Sequence, residues 1–180
     1  IMSHLPSLSA LAVALAVAGC TTGTVSYVNV DSSYDPMQYA RLPYTGPIYV
    51  EVSGNPFAIP PEQLAPIVYH AIAPSDAAIG NGQGPRIHIA FGPDASNVNL
   101  ACSAAVTNGR VNDTISMVAA LCRGTDHALT YLSASIDGVT GPDDPRFHAF
   151  LRQATLQLFP KQTDETRERQ REMLCVYPSC

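Results

Sequence analysis

The first 20 residues differ sharply from the rest of the 180-residue chain, because they contain none of its 10 basic and 15 acidic side chains. Within this segment a run of apolar and small residues extends from Leu8 to Ala18. Eleven helical residues rise about 16 Å, roughly half of the apolar thickness of a bilayer, so this run is too short to cross a membrane. Its length is typical of the apolar region of a signal peptide. The sequence therefore predicts a leader that is separate from the folded domain.

The apolar run ends in the sequence Val17-Ala18-Gly19-Cys20. This sequence resembles the lipobox of bacterial lipoproteins, in which an aliphatic residue and two small residues precede a cysteine. The resemblance implies cleavage before Cys20 and acylation of its thiol, including palmitate-type chains that hold a protein at a membrane. The next residue is Thr21 and not Asp, which in this family implies the periplasmic face of the outer membrane. The membrane is thus an expected partner, through the acyl chains on Cys20.

The start of the chain departs from the usual lipoprotein leader. Residues 1–6 offer His4 in place of Lys or Arg, and the chain begins with Ile1, not Met. Either an unusual start codon was translated literally, or the true N-terminus lies upstream. A buried core helix with a chance V-A-G-C sequence is the alternative to a leader. The Ala/Val run has no polar face and meets a turn-rich segment at 21–24, which favours the leader.

The composition of the whole chain excludes several classes of protein. Apolar residues make up 46% and charged residues 14%, and the net charge is −5. These values exclude a wholly disordered chain, a coiled coil and a nucleic-acid-binding surface spread over the fold. We expect four parts: a signal peptide at 1–19, a lipidated cysteine and tether at 20–46, a domain at 47–160 and a charged tail with two cysteines at 161–180.

The mature part alternates between strand and helix patterns. Strands are predicted from β-branched and aromatic residues or from alternation of apolar and polar residues. They are Val25–Val30, Ile48–Val52, Arg86–Phe91, Val98–Cys102, and the hairpin formed by Ile115–Cys122 and Ala128–Ile136. The pairs Asp35-Pro36 and Asn55-Pro56, with Pro43, are expected to end or break regular structure.

Two helices are predicted, and both begin at proline. The first opens at Pro60-Pro61 and has an apolar face of Leu64, Ile67, Val68, Ala71 and Ile72. The second has Asp144 as its N-cap, followed by a stripe of Phe147, Phe150, Leu151, Ala154 and Leu158, and it stops at Pro160. The order of elements predicts an α+β fold: a two-layer sandwich of an antiparallel sheet of about four to six strands, with two helices on one face.

A second resemblance comes from the layout of the domain. The sequence Tyr34-Asp35-Pro36, the central hairpin and the closing Leu158-Phe159-Pro160 are similar to those of small bacterial envelope lipoproteins of unknown function. In these proteins a Y-D-P motif opens the domain and an F-P pair closes it. The resemblance implies a fold and a location in the cell envelope, and it supplies no catalytic residue.

Four cysteines remain once Cys20 is assigned to acylation. They are Cys102, Cys122, Cys175 and Cys180. An even number in an exported chain indicates two disulfides, and four cysteines allow three connectivities. We favour Cys102–Cys122 and Cys175–Cys180, because each pair is close in sequence. A zinc site is the alternative, and the absence of C-x-x-C spacing disfavours it.

The sequence contains no motif that predicts catalysis, a metal or a cofactor: no G-x-S-x-G, H-E-x-x-H, P-loop or EF-hand loop is present. The candidates are four histidines, read as separate surface or core residues: His70, His88, His127 and His148. Asp126-His127 would form an acid–base site only if folding brought Ser or Cys nearby. Asp143-Asp144 provides too few ligands for calcium.

The sequence therefore favours a non-enzymatic envelope lipoprotein, an accessory or assembly subunit that recognises another envelope protein and binds no nucleic acid. One alternative is an exported cell-wall hydrolase, which needs His127 or His88 beside Ser, Cys or Asp. The other is a carrier of a lipid or small ligand, which needs an apolar cavity between the sheet and the helices.

Overall fold

The structure, a computed structural model, describes residues 23–45, 49–72, 84–92, 101–103 and 110–163. Six strands and four helices follow one another in these ranges. The elements are β1 (Thr24–Val30), α1 (Pro36–Tyr39), α2 (Leu42–Thr45), β2 (Tyr49–Ser53), α3 (Pro61–Ile72), β3 (Arg86–Phe91), β4 (Arg110–Val111), β5 (Thr114–Arg123), β6 (His127–Asp137) and α4 (Pro145–Gln157). Among these helices, none combines the length and the hydropathy needed to span a membrane.

The strands form one mixed sheet in the order β1-β6-β5-β3-β2, with β4 paired to β5. All neighbouring pairs are antiparallel except β2 and β3, which are parallel. The predicted α+β class is confirmed, and the expectation of an antiparallel sheet is corrected at this pair. The physical reason is the connection: α3 lies between β2 and β3 in the chain, and such a crossover carries the chain back to the end of the sheet at which β2 began, so β3 runs in the same direction.

The two long helices, α3 and α4, pack on the same face of the sheet, as predicted. Successive side chains of a strand point to opposite faces, so β3 presents Ile87, Ile89 and Phe91 to the helices. The facing residues of β5 are Ile115, Met117, Ala119 and Leu121. We call this side of the sheet the helix face, and the main apolar core lies beneath it.

The predicted stripes agree with the structure except at Ile67, which is half-buried and lies outside the core, while Tyr69 is buried in its place. Leu64, Val68, Ala71 and Ile72 of α3 are buried in the core, and so are Phe147, Phe150, Leu151 and Ala154 of α4. Asp144 is the N-cap of α4 and accepts from the backbone N–H of Arg146 at 2.9 Å, while a proline occupies the first turn. This bond satisfies one of the backbone donors that the start of a helix leaves without a partner.

Residues 24–45 belong to the folded domain, which corrects the predicted boundary between a tether at 20–46 and a domain at 47–160. Strand β1 pairs with β6, and the side chains of Tyr34 and Tyr39 are buried in the main core. The Tyr34 hydroxyl donates to the carbonyl of Pro160 at 3.1 Å, which joins the start of the domain to the end of α4. These long-range contacts, and not the local sequence, hold this segment in the domain.

Two further expectations are corrected in the described residues. Asp35-Pro36 and Pro43 are predicted to break helices, but Asp35 caps α1 and accepts from the Met37 backbone N–H at 2.8 Å, and Pro43 lies within α2. Residues 101–103, at the end of the predicted strand 98–102, form a turn, and β4 was not predicted. The leader, Cys20, residues 98–100 and the cysteines at 175 and 180 lie outside the described residues.

Candidate functional site

The face of the sheet opposite the helices carries a disulfide between Cys102 and Cys122, the first of the two predicted pairs. Their Cα atoms are 5.8 Å apart. The bridge fastens the turn at 101–103 to β5, and a small buried cluster surrounds it: Ala101, Cys102, Val118, Ala120 and Cys122. We call this side of the sheet the disulfide face.

His88 lies on the disulfide face in the centre of β3 and has no exposed surface. Its Nδ1 is 2.7 Å from the carbonyl oxygen of Ala101, and its Nε2 is 3.0 Å from the Oγ of Ser53. A carbonyl oxygen only accepts, so Nδ1 must carry the proton of the neutral ring. Nε2 is then an acceptor, and the Ser53 hydroxyl donates to it. This contact joins a hydroxyl group to a free nitrogen base.

Arg86, at the start of β3, holds the same turn from a second direction. Its guanidinium forms an ion pair with Glu51 of β2. Its Nη2 also donates to the carbonyl oxygens of Cys102, at 2.5 Å, and Thr125, at 3.1 Å. The turn at 101–103 is therefore fixed by one covalent bond and by hydrogen bonds from His88 and Arg86.

A second Ser–His contact lies where the segment after β1 meets the start of β6. His127 Nε2 is 3.1 Å from Ser33 Oγ and 3.6 Å from Asp31 Oδ1. The Ser33 hydroxyl is 2.6 Å from Asp31 Oδ1, and an ionised carboxylate only accepts. Ser33 therefore donates to Asp31 and accepts from His127, so His127 does not serve as a base for Ser33.

The charge of Asp31 is stabilised by its own loop. The Ser33 hydroxyl and then the Ser33 backbone N–H hold the pKa of the Asp31 carboxyl below its usual value. The Asp31 backbone N–H also donates to the carbonyl of Leu129 at 2.8 Å. These contacts fasten the end of β1 to the hairpin, which is a structural role.

Two cavities are lined by described residues. A cleft of about 420 Å³ runs along Val28–Ser32 at the edge of the sheet, and Gln162 and Thr163 form its other wall. A cavity of about 470 Å³ lies between the loops at 55–58 and 140–142, beside Arg110. Neither of these two cavities lies between the sheet and the helices.

The other predicted candidates remain apart from these contacts. His70 is exposed on α3, and His148 Nε2 is 2.9 Å from the carbonyl oxygen of Pro142. Asp143 is exposed, and Asp126 is exposed beside His127. Sequence reasoning missed Ser33, Asp31, Ser53 and Arg86 as site residues. The histidine partner lies 35 residues from Ser53 and 94 residues from Ser33 in the sequence, so no local motif predicts either contact.

Across the ranges that the structure describes, no group of three His, Cys, Asp or Glu side chains could hold a metal ion. The chain matches no family model, no curated protein and no solved structure.

Proposed function

We propose that this chain is an exported lipoprotein, acylated at Cys20 and facing the periplasm, that acts as an accessory or assembly subunit of a cell-envelope complex. The observation that carries this proposal is the lipobox at 17–20, followed after three residues by an edge strand of a disulfide-bonded domain. A disulfide in a domain of this size fits an oxidising compartment such as the periplasm. In this proposal the acyl chains hold the protein at the membrane, and the domain binds another envelope protein.

The short link between the anchor and the domain supports a position close to the membrane. Thr24 already belongs to β1, so four residue steps join it to Cys20. Such a link spans at most about 14 Å when fully extended. An acylated Cys20 would therefore hold the first strand of the sheet beside the lipid head groups.

The cleft along Val28–Ser32 is the surface that we assign to recognition. It follows β1, the outermost strand on its side of the described sheet, and Val28 is 40% exposed there. A sheet edge can bind an extended segment of another protein through main-chain hydrogen bonds. The proposed partner is thus an envelope protein that supplies an extended strand.

The two alternative functions fare differently. A lipid carrier needs an apolar cavity between the two layers, and the two cavities described above lie elsewhere. Ser33 and His127 do not support a hydrolase, because His127 donates to Ser33 and so cannot take a proton from it. The contact between Ser53 and His88 has the opposite direction, and it is the observation that favours the hydrolase.

Intact mass measurement of the protein extracted from membranes tests the anchor. We expect a chain that begins at Cys20 and carries the added mass of acyl groups. The variant Cys20→Ser should remain unprocessed or leave the membrane fraction, whereas the matched variant Cys175→Ser should remain acylated and anchored. Recovery of wild-type protein with an unmodified Cys20 thiol would contradict the proposal.

Site-specific crosslinking tests the recognition surface. A photo-reactive side chain at Val28 should crosslink one envelope protein in intact cells, and a peptide that copies the captured strand should compete with it. The same group at Met37, which is 86% exposed on α1, is the matched control and should not capture that protein. Equal capture at both positions would argue against recognition through the cleft.

A further inference from the structure

We propose that Ser53 is a nucleophile and His88 its general base, in a site that accepts acyl groups from small esters. This activity goes beyond the proposed role in recognition, which does not require it. The site combines a hydroxyl group at the end of β2 with a ring nitrogen of β3 at 3.0 Å. That distance is within the range over which a base takes a proton from a serine.

The direction of the proton distinguishes this pair from the other Ser–His contact. The Ala101 carbonyl requires the proton of the neutral His88 ring on Nδ1, which leaves Nε2 to accept from Ser53. At His127 the same nitrogen must donate, because the Ser33 proton is already given to Asp31. Two contacts of nearly equal length thus have opposite chemistry.

The exposure of the two groups also suits a nucleophile with a protected base. Ser53 is half-buried, whereas His88 is fully buried behind it. The chain leaves β2 at Gly54, whose φ of 75° favours glycine, and this turn ends the strand directly after the hydroxyl. The leaving oxygen of an ester bound at Ser53 must come within hydrogen-bond distance of His88 Nε2, on the side of the ring that Ser53 covers.

The ring of His88 is positioned by the disulfide face. Its Nδ1–H donates to Ala101, and the next residue, Cys102, is covalently joined to Cys122. The Ala101 carbonyl has the role of the third group that orients the base in a nucleophile–base pair. Ala101 is a positioning residue, since it acts through His88.

The proposed reaction proceeds in two balanced halves. Ser53 Oγ attacks the ester carbonyl carbon and its proton passes to His88 Nε2; the C–O bond to the alcohol then breaks, and the alcohol leaves with that proton. Water next gives a proton to His88 Nε2 and attacks the acyl group on Ser53. The acid leaves, and Ser53 Oγ recovers the proton from Nε2.

A fluorophosphonate probe tests the assignment on the folded, oxidised chain. The Ser53 Oγ–P bond forms and the P–F bond breaks, so that fluoride leaves and the serine proton passes to His88. We expect one adduct, mapped to Ser53 by peptide mass spectrometry, and no adduct in Ser53→Ala. The matched variant Ser33→Ala should label at the wild-type rate.

The dependence on the base supplies the second measurement. The labelling rate of Ser53 should fall as pH falls, because a protonated His88 cannot accept the hydroxyl proton. His88→Gln should label at least about 100-fold more slowly, in line with the contribution of a general base. The pH profile of the wild type serves where that variant does not fold. No adduct, an adduct on Ser33, or labelling of Ser53 that is independent of pH would overturn the proposal.

Discussion

The helix face and the disulfide face belong to the same sheet and are stabilised by different means. The helix face packs large aliphatic and aromatic side chains under α3 and α4. The disulfide face buries mostly small side chains, and it adds a covalent bridge, a buried histidine and an ion pair between Arg86 and Glu51. Burial of apolar surface stabilises the helix face, whereas the disulfide, the hydrogen bonds of the buried histidine and the ion pair stabilise the disulfide face.

Strands β3 and β5 contribute to both faces, which makes the comparison direct. In β5, Met117 and Leu121 point to the helices, whereas Val118 and Cys122 point to the disulfide face. In β3, Ile87 and Ile89 alternate with His88. Because successive side chains of a strand point to opposite faces of the sheet, one strand can contribute to both faces. One of these faces is an apolar core that does not depend on the redox state, and the other is held by a disulfide that does. The largest stability should reside in the helix face.

The variant Phe147→Ala should have the largest effect, because it removes an aromatic ring from the centre of the helix face. Phe147 is fully buried, and its ring centroid lies 4.9 Å from that of Phe57 and 6.0 Å from that of Phe91. Replacing a buried phenylalanine by alanine typically costs 3–5 kcal/mol, so we expect a loss of about 4 kcal/mol. Urea unfolding with and without a reducing agent measures it.

The matched control for this variant is Leu156→Ala on the same helix, where the side chain is 38% exposed. A surface change of this kind typically alters stability by less than about 0.5 kcal/mol. The loss caused by Phe147→Ala should be the same under oxidising and reducing conditions. A loss that depends on the redox state would show that the two faces do not act separately.

The double variant Cys102→Ser/Cys122→Ser should cause the second largest loss of stability, and the loss should come from the disulfide face. The bridge closes a loop with a sequence separation of 20, and the chain-entropy model gives about 3 kcal/mol for such a loop. We therefore expect the free energy of unfolding to fall by about 3 kcal/mol under oxidising conditions. Urea unfolding monitored by circular dichroism is the measurement.

The same double variant supplies its own control when a reductant is present. Reduced wild type and the variant should then unfold at similar urea concentrations, and reductant should change the variant little. If oxidised wild type and the variant were equally stable, the bridge would not account for the stability of its face.

The fold was predictable where each element has a local signal. The stripe of α4, its Asp144 cap and the hairpin of β5 and β6 all follow from spacing and capping chemistry. The parallel pairing of β2 and β3 was implied by the helical crossover between them, but the antiparallel hairpin dominated the prediction. Tyr34 and Tyr39 were missed as core residues because long-range packing buries them, including the bond from Tyr34 to Pro160.

Of the candidate site, only the disulfide could be predicted from the sequence. The parity and spacing of the cysteines indicated Cys102–Cys122 without knowledge of the fold. The pairing of Ser53 with His88 depends on the register of β2 against β3, where Ser53 lies opposite Ala90. The pairing of Ser33 with His127 depends on where β1 ends beside β6. Both are consequences of register, which local sequence specifies weakly.

The smallest effect should come from Asp144→Asn, which removes a charge at the start of α4 on the helix face. Asparagine also caps helices well, but its one carbonyl oxygen cannot replace both carboxylate oxygens. The variant therefore loses the ion pair with Arg146, the attraction to the helix N-terminus, and the hydrogen bonds that Asp144 Oδ2 accepts from Thr140. The Arg146 side chain is 43% exposed, and water therefore screens the pair. We expect a loss of about 0.5–1 kcal/mol at pH 7.

The pH dependence of this loss identifies its cause. Hydrogen bonds from Arg146 hold the pKa of the folded Asp144 carboxyl well below its usual value. A lowered folded pKa stabilises the protein above the unfolded pKa of about 3.9, and that stability is lost as pH falls through the folded pKa. The gap between wild type and variant in urea unfolding should therefore be constant from pH 7 to about pH 5 and should narrow below about pH 4. Asp143→Asn, at an exposed neighbour, should show no comparable gap, and a gap for Asp144→Asn that persisted at low pH would point to lost capping geometry and not to charge.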